Sequence, residues 1–294
     1  MNGERNPSET DDASTWRDLL EDTVRLLGER PAARWLCETA SGLEGQEFLD
    51  ELDSPATERM VAHLDAMLER YRRGEPLAYV MGRWSFRTID VLVDSRALIP
   101  RPETEIVAGR ALERARATDA PRRIVDLGTG SGVIGLSLAA ELPVTGTEIW
   151  MTDASEEALN LARANAAGLG RVGANVRIAG GSWFAALPDE LRGTFDVVVA
   201  NPPYIAVGDP EVDEGVMVWE PHGALFAGVD GLDAVRTIVD DAPHWLRPSG
   251  WLILEIGHRQ GSAVHELMIA AGLVNVLVGK DLAGRDRYVE ARRP

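Results

Sequence analysis

The chain has a single cysteine, Cys37, in 294 residues, which excludes an internal disulfide and any zinc site built from cysteines. Its 5 histidines, His63, His222, His244, His258 and His265, are scattered without the close spacing of metal ligands, so no resident metal is expected. No apolar run approaches the roughly 18 residues that a membrane helix needs. The start, "MNGERNPSETDDAS", lacks the basic-then-apolar pattern of a secretory signal. Positive charge is scarce: 30 Lys and Arg stand against 47 Asp and Glu, a net charge of −17 at pH 7. That balance opposes sequence-independent binding to nucleic acid, which needs a surplus of Lys and Arg to neutralise phosphates. The absences together lead to the expectation of a cytoplasmic protein with no membrane contact and no direct nucleic-acid binding. Cys37 is read as packing, and a monomer is expected because no self-association motif is visible.

What is present is ample apolar material, 45% of residues, enough for a sizeable core. The pattern divides the chain into three. Residues 1–78 carry a polar tail to about Ser14 and then helical periodicity, with apolar residues three and four apart in "STWRDLLEDTVRLLGER" and "SPATERMVAHLDAMLERYRRG", Ser or Thr before and Gly after. Residues 79–99 turn β-rich and read as a hairpin-like connector. From residue 100 to 294 a helix opens at "IPRPETEIV", with Pro102 near its start and acidic residues in its first turn. Strand and helix patterns then alternate. Alternation of this kind predicts a doubly wound, mostly parallel α/β sheet, with ligands at the carboxyl ends of its strands. No internal repeat is seen.

Within that frame "VDLGTGSGVIGLSLA", Val125 to Ala139, reads as strand, glycine-rich turn and helix. Gly128, Gly130 and Gly132 permit a tight turn and close approach of main chain to a ligand. The next strand ends in Asp153, whose carboxylate can accept two ribose hydroxyls, as in both NAD-binding and S-adenosylmethionine-binding domains. Asp153 could alternatively cap the following helix, a role equally open to Ser155. Further on, "FDVVVANPPYI", Phe195 to Ile205, is a buried strand running into a stiff turn, since Pro202 and Pro203 fix φ and donate no main-chain hydrogen bond.

The order of these motifs resembles S-adenosylmethionine-dependent amino-methyltransferases, whose Asn-Pro-Pro-Tyr motif holds a planar NH₂ group. An amide nitrogen is a poor nucleophile because its lone pair is delocalised. Acceptors at the Asn201 side chain and the Pro202 carbonyl would bind its two N–H groups, with the Tyr204 ring beside the substrate plane. Catalysis would then be positioning and electrostatics. The motif serves two substrate classes, adenine in DNA and glutamine in protein.

Other segments discriminate between them. "GEPLAYVMGRWSFRTIDVLVDSRALIPRPETEIV", "EPHGALFAGVDGLDAVRTIV", "GWLILEIGHRQG" and "DLAGRDRYVEAR" resemble blocks of the peptide chain release factor N(5)-glutamine methyltransferases, the HemK/PrmC family. The resemblance implies a class I Rossmann-like methyltransferase fold with a small N-terminal helical domain. It also implies methyl transfer to the glutamine of the Gly-Gly-Gln loop of class I release factors, with S-adenosyl-L-homocysteine as product. By that likeness Gly128, Thr129, Gly130, Ser131, Gly132 and Asp153 bind S-adenosyl-L-methionine, Trp183 lies near the adenine, and Asn201, Pro202, Pro203 and Tyr204 hold the glutamine, with Asn201 also bordering the cofactor. The helical domain would help grip the release factor. One departure is Ser182, where relatives commonly carry an acidic residue before the Trp-Phe pair.

A glutamine methyltransferase acting on a ribosomal protein ranks second, because its connector resembles "VPRSPIGEL" where this chain has "IPRPETEI". A DNA adenine methyltransferase ranks third on charge and on the lack of a base-reading segment. A protein that binds the factor without turnover is opposed by the intact glycine and Asn-Pro-Pro-Tyr loops. Glu255 is read as structural or as a support behind the residues that touch the substrate, since deprotonation can follow methyl transfer and no general base is required. Glu103 and Glu105 are read as favouring a helix N-terminus, with the family resemblance implying a part in shaping the cofactor site, and Trp219 as either channel lining or core.

Overall fold

The computed structural model describes residues 14–294, so the polar tail expected up to about Ser14 lies almost wholly outside the described residues. The chain divides into two compact units, one ending at Met81 and the other spanning Gly82–Pro294.

The first unit is helical: α1 (Trp16–Leu27), α2 (Arg30–Ser41), α3 (Gly45–Asp50), α4 (Glu58–Arg72) and α5 (Leu77–Met81). Thr15 caps α1 by accepting from the Asp18 amide, Asp18 reciprocates, and Gly28 ends the helix in a left-handed conformation. The core gathers Trp16, Leu20, Leu36, Cys37, Phe48, Leu64, Met67 and Val80. Trp16 meets Phe48 edge-on at 5.9 Å. Cys37 is fully buried and burial pushes its thiol up to about 11, in keeping with a packing role. The connector expected from Tyr79 starts later. Tyr79 and Val80 lie in α5, where Val80 joins the helical core. Gly82, at φ +72°, breaks the helix, and the antiparallel hairpin is β1 (Arg83–Phe86) with β2 (Ile89–Leu92).

The second unit continues with α6 (Pro102–Arg116), β3 (Arg122–Leu127), α7 (Val133–Glu141), β4 (Thr147–Asp153), α8 (Glu156–Gly168), β5 (Val176–Gly180) and β6 (Phe195–Ala200). It ends with α9 (Glu214–Trp219), α10 (Asp233–Trp245), β7 (Leu246–Glu255), α11 (Gly261–Ala270), β8 (Val274–Lys280) and β9 (Asp286–Arg292). The seven-stranded sheet has the order β5-β4-β3-β6-β7-β9-β8. Strands β3 to β7 pair in parallel, and β9 runs antiparallel between β7 and β8. The parallel α/β expectation holds. The chain winds outward from β3 to β5 and returns to β6 on the other side of β3, which creates a crevice above the ends of β3 and β6.

Alternation along each strand sorts side chains to the two faces. Val125, Leu127, Val198, Ala200, Leu252 and Leu254 pack with α10 and α11 residues such as Val235, Ile238, Trp245 and Met268. The intervening positions face the other helices: Asp126 reaches the Gly135 amide of α7, and Glu255 reaches Thr104 of α6. Helix α6 is tied to the sheet at its far end by Arg110 and Arg114, both paired with the fully buried Glu290 at 2.6 and 2.7 Å. Arg114 also lies over the Trp251 ring at 3.5 Å. Burial pushes the Glu290 carboxyl up, but the two arginines outweigh it and hold it below its ordinary range.

Removing that carboxylate should loosen α6. Glu290→Ala is expected to lower unfolding stability by about 3 kcal/mol, the low end for breaking a buried pair because both guanidinium groups reach water. Denaturant titration of the whole chain checks this, and an unchanged midpoint would contradict it.

Candidate functional site

A cavity of about 510 Å³ opens at the crevice. It is lined by the segments that follow four parallel strands: Gly128 to Ser131 after β3, Asp153 to Ser155 after β4, Ser182 and Trp183 after β5, and Asn201 and Pro203 after β6. The segment Arg96 to Arg101 and Thr104 of α6 close it from the side.

The glycine turn is shaped by neighbours as well as by φ. Gly128 has φ +68°, and a Cβ there would lie 2.9 Å from the Trp183 ring. The indole therefore packs onto bare backbone, which no other residue type permits. Gly132 caps α7 at φ +92° and is absent from the cavity wall. The Thr129 hydroxyl bonds the Asp126 carboxylate at 2.5 Å and its amide donates to the Thr152 carbonyl at 2.8 Å. Asn165 of α8 ties the hairpin to this turn, donating to the Leu92 and Ser131 carbonyls and accepting from the Leu92 amide.

Asp126 is fully buried. Its Oδ2 accepts from Thr129 and Gly135, whereas its Oδ1 has no hydrogen-bond partner among the described residues. Burial first of all pushes this carboxyl up to about 6. Asp153 accepts from the Gly130 amide at 2.9 Å and the Ser155 amide at 2.8 Å. Each of its oxygens retains a lone pair. Ser155 is the cap of α8, accepting from the Ala158 amide at 3.2 Å. The alternative of Asp153 as that cap is thus answered by its neighbour.

The turn after β6 is held from outside. Ile205 exchanges main-chain bonds with Leu225 and Ala227, and Gln260 donates to the Tyr204 carbonyl at 3.0 Å. Pro202 is buried. Asn201 borders the large cavity and also an adjoining one of about 350 Å³, which Tyr204 lines together with Arg101, Val216 and Arg259. The Asn201 amide donates through Nδ2 to Thr104 Oγ1 at 3.2 Å, and Thr104 donates to Glu255 at 2.7 Å. Tyr204 donates to the other Glu255 oxygen at 3.4 Å. Burial foremost, then the nearby Glu255, pushes the Tyr204 phenol up and keeps it protonated. Burial also pushes the Glu255 carboxyl up to about 7.

The structure thus brings together Gly128, Thr129, Gly130, Ser131, Asp153, Trp183, Asn201 and Pro203 at one cavity, with Tyr204 at the next. Sequence reasoning missed Thr104, which stands between Glu255 and Asn201. It also missed Glu220, which is buried and accepts from the Ile99 amide at 3.1 Å and from Arg101, fixing the side wall. Glu105 does more than favour a helix start: it accepts from the Arg87 amide at 3.1 Å and steadies the hairpin turn. Among the described residues no cluster of His, Cys, Asp or Glu is arranged to hold a metal, and no helix is long and apolar enough to cross a membrane.

A family model described as a methyltransferase small domain matches residues 108–217, and one described as a PrmC N-terminal domain matches residues 17–82. A release factor glutamine methyltransferase of Xylella fastidiosa (strain Temecula1) is 45% identical over 82% of this chain and 85% of its own length. Another so named, from Burkholderia pseudomallei, is 40% identical over 89% of this chain and 91% of its own length. Among solved structures, a T. thermophilus 16S rRNA N2 G1207 methyltransferase in complex with AdoMet and guanosine aligns with a TM-score of 0.52. It is 18% identical, covering 72% of this chain and 50% of its own, and speaks for the fold alone.

Gly128→Ala should weaken binding of S-adenosylhomocysteine, the product implied by the sequence, about tenfold. The substitution costs about 1–2 kcal/mol of left-handed strain and displaces Trp183. Titration calorimetry on the folded variant reads this directly, and an unaltered affinity would show that the glycine is not required.

Proposed function

The chain belongs to the release factor glutamine methyltransferase family, and on that premise we propose that it methylates the side-chain amide nitrogen of the glutamine in the Gly-Gly-Gln loop of class I release factors. The family points to glutamine as the acceptor, and the observation that carries the chemistry, an acceptor for a planar NH₂ group, is the orientation of Asn201. Its Nδ2 is committed to Thr104, and its Oδ1 makes no hydrogen bond among the described residues, at the junction of the two cavities.

The residues of the larger cavity suit S-adenosylmethionine. The bare backbone at Gly128 lets the Trp183 ring pack against the glycine turn, and Asp153 offers lone pairs to vicinal hydroxyls. Trp183 supplies an aromatic face, with the Ser182 hydroxyl in place of a carboxylate beside it. When bound, S-adenosylmethionine supplies an electrophilic methyl carbon, whose bond to sulfur breaks as the bond to the amide nitrogen forms, leaving S-adenosylhomocysteine and a proton lost to water.

The chain's own part is to hold the nitrogen. Asn201 Oδ1 and the Pro202 carbonyl accept its two N–H bonds, which draws electron density toward nitrogen and fixes its approach. Pro202 and Pro203 keep that turn rigid without competing donors. Tyr204, protonated and tied to Glu255, offers its ring to the flat amide. We assign the helical unit, matched by the PrmC N-terminal domain, to recognition of the release factor.

Labelled methyl should pass from S-adenosylmethionine to a purified release factor and not to its Gly-Gly-Ala variant, to ribosomal protein or to DNA. Asn201→Ala should cut kcat by about 100-fold or more, as loss of a transition-state hydrogen bond does, while cofactor affinity stays near that of the wild type. Label on the ribosomal protein or DNA instead would overturn the substrate assignment, and retained turnover in the variant would overturn the role of Asn201.

A further inference from the structure

Glu255 is a fully buried carboxylate at the end of β7 that the reaction as written does not use. It lies two hydrogen bonds from the group that does the work: Glu255 Oε2 to Thr104 Oγ1 at 2.7 Å, and Thr104 Oγ1 to Asn201 Nδ2 at 3.2 Å. We propose that Glu255 and Thr104 are positioning residues that fix which end of the Asn201 amide faces the substrate.

Given the proposed role of Asn201 in holding the glutamine, the donors and acceptors along this chain of bonds leave it one orientation. An ionised carboxylate only accepts, so the single Thr104 hydroxyl proton is committed to Glu255. The Thr104 oxygen is then left with lone pairs alone toward Asn201. Only the NH₂ end of the amide can meet it, and Oδ1 must point into the cavity. Reversing the amide would set oxygen against oxygen at Thr104 and present an NH₂ to the substrate's NH₂, a clash at both ends. The chain of bonds thus selects an acceptor where an acceptor is required.

Protonated Glu255 would lift the constraint. The acid could donate to Thr104, whose own hydroxyl proton would then be free to donate to Oδ1 of a reversed Asn201 amide. The charges set around Glu255 bear on that step. Arg287 of β9 favours the ionised form and Glu103 of α6 opposes it, while Tyr204 donates to Oε1. Burial is the largest influence and places the carboxyl at about 7. Ionisation, and with it the productive orientation, is complete well above pH 7 and lost as the pH falls through it.

The test compares Thr104→Val, Thr104→Ser and Glu255→Gln with wild type in steady-state transfer to a release factor, across about pH 6 to 9. S-adenosylhomocysteine affinity and thermal unfolding are measured alongside. Thr104→Val keeps the packing volume and should lower kcat about tenfold or more, the scale of a misaligned reacting group, with cofactor affinity within about twofold. Thr104→Ser should restore most of kcat, and Glu255→Gln should lower kcat and abolish the acid limb near pH 7. Wild-type kcat in Thr104→Val, no rescue by Ser, or an acid limb that persists in Glu255→Gln would each overturn the relay while leaving the enzyme's function intact. A wild-type protein that labels no release factor at all would overturn the functional reading and the relay with it.

Discussion

Everything at the site depends on the reversal of winding between β5 and β6. Because β6 returns beside β3 instead of continuing outward, four parallel strands deliver their carboxyl-end loops to one rim. Each loop then contributes what its length and composition allow: bare backbone at Gly128, a carboxylate at Asp153, an indole at Trp183, an amide at Asn201. None of these groups is unusual alone. Their juxtaposition is a property of strand order, and a loop carrying the same residues on another edge would have no partner.

The same sheet governs the opposite side of the site through the two-residue period of its strands. Leu254 points into the apolar core shared with α10 and α11, so Glu255 points toward α6. The Glu290 pair with Arg110 and Arg114 fixes that helix near its carboxyl end, and Thr104 emerges from its first turn. A buried carboxylate is thus expressed as a hydrogen-bond direction at Asn201. The arrangement costs desolvation, visible in the upward displacement of the Glu255 carboxyl to about 7. What that cost secures, while Glu255 is ionised, is a single donor-to-acceptor order along three side chains.

Much of the site was legible in the sequence because it is written in contiguous stretches. Strand, glycine turn and helix follow one another within Val125 to Ala139, and the Asn-Pro-Pro-Tyr turn directly ends an apolar strand. The α/β class was legible for the same reason, since periodicity is local. The groups that orient the site were not. Thr104 and Glu255 are 151 positions apart, and Ile99 and Glu220 are 121, so no spacing rule joins them. Only strand order and parity do, and neither can be read from a single chain. The start of the hairpin was misplaced on a related ground. Residues Leu77–Met81 are apolar enough for a strand, yet Val80 is claimed by the core formed with Leu36, Leu64 and Met67, a tertiary demand that overrides local preference.

The site as read here has the Asn201 side-chain oxygen and the Pro202 carbonyl together binding the amide nitrogen of a glutamine. A crystal structure of the protein with S-adenosylhomocysteine and a Gly-Gly-Gln peptide would decide it. The glutamine nitrogen should lie within hydrogen-bond reach of both oxygens, with Asn201 still donating to Thr104. A glutamine bound away from Asn201, or one that meets it through its carbonyl oxygen, would overturn this reading.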